Sequence, residues 1–146
     1  MDDAKAARLL EEIRALKARY FRLLDTKQWD AWKTLFVEDL EFEAPDDRPG
    51  IVDRGRDAFV TGVRAVIESA KTIHHGHMPE IELLSETSAR GKWAMEDLLW
   101  WPEEAVAQGS PRHLHGFGHY HETYEHSEHG WRIKTMKLTR LHLEHQ

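Results

Sequence analysis

The chain has 146 residues, no cysteine, 40% hydrophobic and 32% charged residues, and a formal charge of −6. That size and balance describe one globular domain over residues 1–146, large enough to bury a core without disulfides or thiolate metal sites. The acidic excess argues against nucleic acid, no apolar run approaches the ~20 residues of a membrane span, and Met1-Asp2-Asp3 does not open a secretory leader, so a cytoplasmic protein with neither a nucleic-acid nor a membrane partner is expected.

Leu9, Ile13, Leu16, Tyr20 and Leu24 recur at helical spacing behind Asp2 and Asp3, which predicts a long amphipathic first helix. A second short helix carries Trp29, Trp32, Leu35 and Phe36 on one aromatic face. Leu40, Phe42 and Ala44 alternate with acidic residues as in a one-sided strand, residues 45–50 read as a turn, and a third helix from about Arg56 to Ser69 turns Phe59, Val60, Val63, Val66 and Ile67 inward. From Lys71 the pattern becomes a four-strand meander: Lys71 to Leu84 interrupted at Pro79, Ser88 to Trp101, Leu114 to His126, and Trp131 to Leu143. Residues 85–87 and 128–130 are tight turns, and residues 102–113 form a longer loop. Helices followed by consecutive antiparallel strands give an α+β class, with helices covering one face of a curved sheet and a pocket between them. The strand from Ser88 is apolar on both faces, with Trp93, Met95, Leu99 and Trp101 on one and Ala94, Leu98 and Trp100 on the other. Its second face needs a cover, either another subunit or the C-terminal tail.

Several residues stand out chemically. Asp25 falls at the end of the first helix, where the macrodipole disfavours a carboxylate; it either caps the next helix or has a partner elsewhere. His74 lies on one face of its strand, His75 and His77 on the other, and which face lines the pocket is open at this stage. Asp97 shares a face with Trp93 and Met95, and is costly there unless paired or protonated. His115, His119 and His121 share a face, but no third ligand appears at a diagnostic spacing, so no metal is expected. Gly116 and Gly118 lie opposite, beside Tyr120, where missing side chains leave room for a ligand or a neighbouring backbone.

The order Ile13-Arg14 … Tyr20, Leu24-Asp25, Trp29-x-x-Trp32-x-x-Leu35-Phe36, Thr72-Ile73-His74-His75, Trp93-Ala94-Met95-Glu96-Asp97, His115-Gly116-Phe117-Gly118-His119-Tyr120 and Gly130-Trp131-Arg132-Ile133 resembles the SnoaL-like branch of the nuclear-transport-factor-2-like superfamily. The resemblance implies a cone-shaped curved mixed sheet wrapped around three N-terminal helices, an apolar cavity, and assembly into dimers or trimers. In members such as scytalone dehydratase, bile-acid 7α-dehydratase and hexachlorocyclohexane dehydrochlorinase, an Asp near the end of the first helix orients a His on a strand. Asp25 and His74 match those positions, Tyr20 and Asp97 match two further catalytic ones, and Arg140, preferred over Lys137, matches a basic residue of the last strand. With Trp93, Met95, Tyr120, Gly116, Gly118 and Arg140 lining the substrate site, the expected activity is a cofactor-independent dehydratase or isomerase for a small hydrophobic cyclic molecule. A non-catalytic binding or assembly module of the same fold is the alternative.

Overall fold

The computed structural model describes all 146 residues. Helix α1 (Asp3–Asp25) starts where the Asp2 carboxylate accepts from the Lys5 backbone N–H at 2.7 Å, and its stripe Leu9, Ile13, Leu16, Tyr20, Leu24 is buried as the spacing demands. Helix α2 (Trp29–Lys33) is shorter than its aromatic pattern implies, because Phe36 already belongs to strand β1 (Phe36–Glu43). The aromatic face persists across the boundary: Trp32 meets Phe36 edge-on at 5.0 Å between ring centroids. Strand β2 (Val52–Arg54) pairs antiparallel with the end of β1, and was missed because three residues carry no readable alternation. Helix α3 (Arg56–Ile67) buries Phe59, Val60 and Ile67, but Val66 is exposed, on the solvent side of the helix.

The meander comprises β3 (Lys71–Leu83), β4 (Ser88–Trp100), β5 (His113–Ser127) and β6 (Gly130–His145). Pro79 does not end β3: the register shifts between His77 and Glu80, and Pro79 is tolerated because β3 is an edge strand. The expected loop between β4 and β5 contains a short helix α4 (Glu103–Ala107), one turn opened by Pro102. The sheet order is β2-β1-β6-β5-β4-β3, antiparallel throughout except where β1 runs parallel to β6. This is a mixed, curved sheet with the N-terminal helices on its inner face, the cone-shaped α+β arrangement expected.

The inside of the cone is filled by side chains: Ile13, Trp32, Phe36, Leu40 and Ile133 have no solvent exposure. On the outer face, Trp100 and Ile73 are each 39% exposed, and the His113 ring stacks on Trp100 at 4.9 Å. The last residue pairs with the start of β5, through Gln146 N–H to the His113 carbonyl, and leaves these side chains open. No helix is long and apolar enough to cross a membrane.

Candidate active site

Asp25 ends α1 with its carboxylate among donors that offset the helix's negative terminus. Its Oδ2 accepts the His74 backbone N–H at 2.9 Å, and its Oδ1 accepts the Thr72 hydroxyl at 2.9 Å and lies 2.7 Å from His74 Nδ1. A carboxylate only accepts, so Nδ1 carries the proton and the Nε2 lone pair is free. Asp25 therefore does not cap α2, whose N-cap is Gln28 without a side-chain bond. Lys27 adopts a left-handed φ of 58°, and its Nζ donates to Thr72 Oγ1 at 2.7 Å. Burial pulls the Lys27 pKa down against the opposing charge of Asp25. Alternation along β3 turns Thr72 and His74 inward and leaves His75 and His77 exposed.

Asp97 sits directly across from His74 in the β3–β4 register, yet its carboxylate bonds Arg140 instead. Both oxygens accept from Arg140, at 2.7 Å from Nη1 and 3.1 Å from Nη2, so Asp97 is a paired acceptor. Arg140 also meets Asp47, 3.1 Å from Nε to Oδ1. Burial alone would lower its pKa, but the bonds and charges of Asp97 and Asp47 hold it above the ordinary value. A Cβ on Gly116 would overlap Arg140 Nη1 and Asp97 Oδ1, and one on Gly118 would strike the Thr139 carbonyl. The two glycines thus make room for an ion pair and a neighbouring strand, not for a ligand.

Behind these groups lies an ion pair the sequence reading did not find. Lys17 Nζ and Glu122 Oε2 are 2.6 Å apart, both side chains without solvent exposure. The ammonium also sits 3.6 Å over the Tyr20 ring and 3.8 Å over that of Tyr120. Burial lowers the Lys17 pKa to about 8, with Glu122 opposing. Glu122 Oε1 accepts from the Tyr124 hydroxyl at 2.7 Å, which accepts from Trp93 Nε1 at 2.8 Å. Both residues had a signal: Lys17 follows Ile13 by four on the apolar stripe, and Glu122 alternates with inward-facing Tyr120 and Tyr124.

A hollow of about 560 Å³ reaches His74 between α1 and the β3 edge, bounded by Arg14, Ala18, Phe21, His75, Gly76, His77 and Trp93. It is shallower and more basic than the expected apolar cavity. Of the expected substrate-site residues only Trp93 borders it; Met95, Tyr120 and Arg140 do not, and neither do Tyr20 and Asp97, each 4% exposed. Burial first, and the Glu122 charge next, raise the Tyr20 pKa, so its phenol stays neutral. A larger hollow of about 820 Å³, bordered by charged side chains of β1 to β6, holds neither Asp25 nor His74. Its charges largely pair among themselves, as Arg90 with Glu82 at 2.7 Å.

A family model described as SnoaL-like domain matches residues 5–137. The chain belongs to the SnoaL-like family. This SnoaL-like chain is similar in fold to a putative scytalone dehydratase from Novosphingobium aromaticivorans, at 21% identity and a TM-score of 0.84 over 99% of this chain and 92% of that one. A hexachlorocyclohexane dehydrochlorinase from Novosphingobium barchaimii superposes with a TM-score of 0.77 at 16% identity, covering 99% and 94%. The β subunit of a benzoate 1,2-dioxygenase from Burkholderia mallei gives 0.69 at 21% identity, covering 88% and 87%. These neighbours share the fold of this SnoaL-like domain over nearly its whole length.

Proposed function

We propose that the protein is a lyase or isomerase in which His74 Nε2 removes a proton from carbon of a small hydrophobic cyclic substrate and Asp25 holds the imidazole. The observation that carries this reading is the 2.7 Å contact between His74 Nδ1 and Asp25 Oδ1 beside a hollow of about 560 Å³. A neutral imidazole is a general base for a C–H proton, and the adjacent carboxylate stabilises the imidazolium formed. In an elimination the C–H electrons become the new π bond as the leaving group departs with its pair. In an isomerisation the proton returns at another carbon. Both balance without a redox cofactor, and the proposal includes none.

Thr72 and Lys27 act as positioning residues: the Thr72 hydroxyl donates to the same Asp25 Oδ1 that meets His74, and Lys27 donates to that hydroxyl. Tyr20 and Asp97 are assigned to support. Tyr20 packs edge-on against Phe21 at 5.3 Å, and Asp97 anchors Arg140. Proton donation to a leaving group falls to the rim, where His75 and His77 stand. The exposed Trp100 and Ile73 favour a homo-oligomer, dimer or trimer, joined through the outer sheet face. The same exposure favours, as a second reading, a non-catalytic assembly module, the kind of part a dioxygenase β subunit is by name.

A panel of cyclic β-hydroxy ketones and β,γ-unsaturated ketones, followed by the appearance of conjugated enone absorbance, tests the proposal. Turnover by the wild type that Asp25→Asn and His74→Ala each abolish, with the double variant no worse than either, is expected. Turnover that survives His74→Ala would remove His74 as the base, and no turnover of any member would leave the assembly reading in its place.

A further inference from the structure

The hollow beside His74 is chemically lopsided. The chain carries 26 acidic against 20 basic residues, yet no Asp or Glu borders this opening, whose titratable side chains are Arg14, His74, His75 and His77. Arg14 is not tied up: its partner is Glu11 at 3.6 Å, one helical turn away, with the two side chains 45% and 75% exposed. The carboxylate of Asp25, which holds His74, is saturated by the Thr72 hydroxyl and both His74 donors. With the histidines neutral, Arg14 is the one fixed charge on the opening, a local cationic point on a protein of net charge −6.

The inner wall is aromatic. A Cβ on Gly76 would lie 2.6 Å from Phe21 Cε2 and 3.1 Å from Trp93 Cε3, so the absent side chain lets both rings close on the strand beside His74. Trp93 is held from behind by the Tyr124 hydroxyl at 2.8 Å, a fixed ring face for a flat molecule. The volume of about 560 Å³ falls among small-ligand sites, which run from about 300 to 1,000 Å³. One guanidinium without converging backbone N–H groups suits a single negative charge better than a polyphosphate.

We infer that this hollow takes a monoanionic ring compound, an alicyclic or aromatic acid whose carboxylate meets Arg14 at the rim while its ring lies against Phe21 and Trp93. The anion is a handle. A carboxylate next to the reacting carbon would make that C–H harder to ionise, so the acid group stands away from the carbon that His74 addresses. This last clause rests on the function proposed above; the binding specificity does not.

Equilibrium binding separates the two. Isothermal titration with 2-naphthoate and with its neutral counterpart 2-naphthamide compares charge at nearly constant shape. The acid is expected to bind about tenfold more tightly, a margin within reach of one charge-assisted pair. Arg14→Gln, at an exposed site that folding tolerates, removes that margin and leaves the amide within about twofold. Phe21→Ala weakens both probes. Equal affinity for acid and amide, a preference that survives Arg14→Gln, or binding of neither probe would overturn the inference. Anion binding in a protein that turns over no ketone substrate would keep it and defeat the catalytic reading, and turnover without anion preference would do the reverse.

Discussion

Lys17 and Glu122 give the sharpest test of the interior. Neither side chain has any solvent exposure, and 2.6 Å separates Nζ from Oε2. In Lys17→Met the carboxylate keeps only the Tyr124 hydroxyl; in Glu122→Gln the ammonium keeps the Tyr20 and Tyr120 rings and Met136 Sδ at 3.9 Å. Each single change strands a buried charge and is expected to cost about 3–5 kcal/mol. That is a large part of the roughly 5–15 kcal/mol that holds a domain together. The double variant strands no charge: the Gln oxygen still accepts from Tyr124, while its NH2 faces the apolar Met. Its cost is the lost cation–π contacts and an unmet amide donor, below that of a stranded charge. Urea unfolding of the four proteins, with a common m-value, gives the coupling energy directly. The double variant should be more stable than either single one. If the two losses simply add, or each single variant costs under about 1 kcal/mol, the pair is not the buried charge couple described.

The same pair sets a pH dependence. Burial lowers Lys17 from 10.5 to about 8, so between those values the unfolded chain holds a proton that the folded chain has released. Wild type should therefore gain stability over the double variant as pH rises through that window, read as the difference in urea midpoints at pH 8 and pH 10; a falling difference would contradict the sign. Thr72→Val removes the hydroxyl bond to Asp25 and should lower turnover about tenfold, while Thr72→Ser stays within about threefold, measured as kcat at saturating substrate. Gly116→Ala drives a methyl into the Arg140–Asp97 pair and should destabilise by about 2–4 kcal/mol, read by thermal unfolding. The exposed Trp100 predicts an oligomer by light scattering at micromolar concentration that Trp100→Glu disperses.

Much of the fold was legible because burial imposes simple periods. The stripe from Leu9 to Leu24 and the alternation through Trp93, Met95 and Leu99 read directly as helix and strand. Strand β2 and helix α4 were not, since three to five residues are too few to show a period. The parallel pairing of β1 with β6 joins segments about ninety residues apart, a contact no local pattern encodes. Asp25 was conspicuous for its place at the wrong end of a helix dipole, and the structure supplies the donors that place requires. Asp97 and Gly116 each carried two readings in the sequence. Their shared explanation is Arg140, which reaches across the missing side chain of one to pair with the other. Lys17 was not singled out, although its phase on α1 puts it inside.

The proposed base requires that Asp25 hold His74 with the proton on Nδ1 and the lone pair on Nε2, beside the hollow. Long-range ¹H–¹⁵N correlation spectra of the histidine rings above the imidazole titration read that tautomer without any substrate. The His74 ring, identified by its loss in His74→Ala, is expected in the Nδ1–H form, and Asp25→Asn should abolish this bias. A His74 ring held as the Nε2–H form, or a pattern unchanged in Asp25→Asn, would contradict this arrangement.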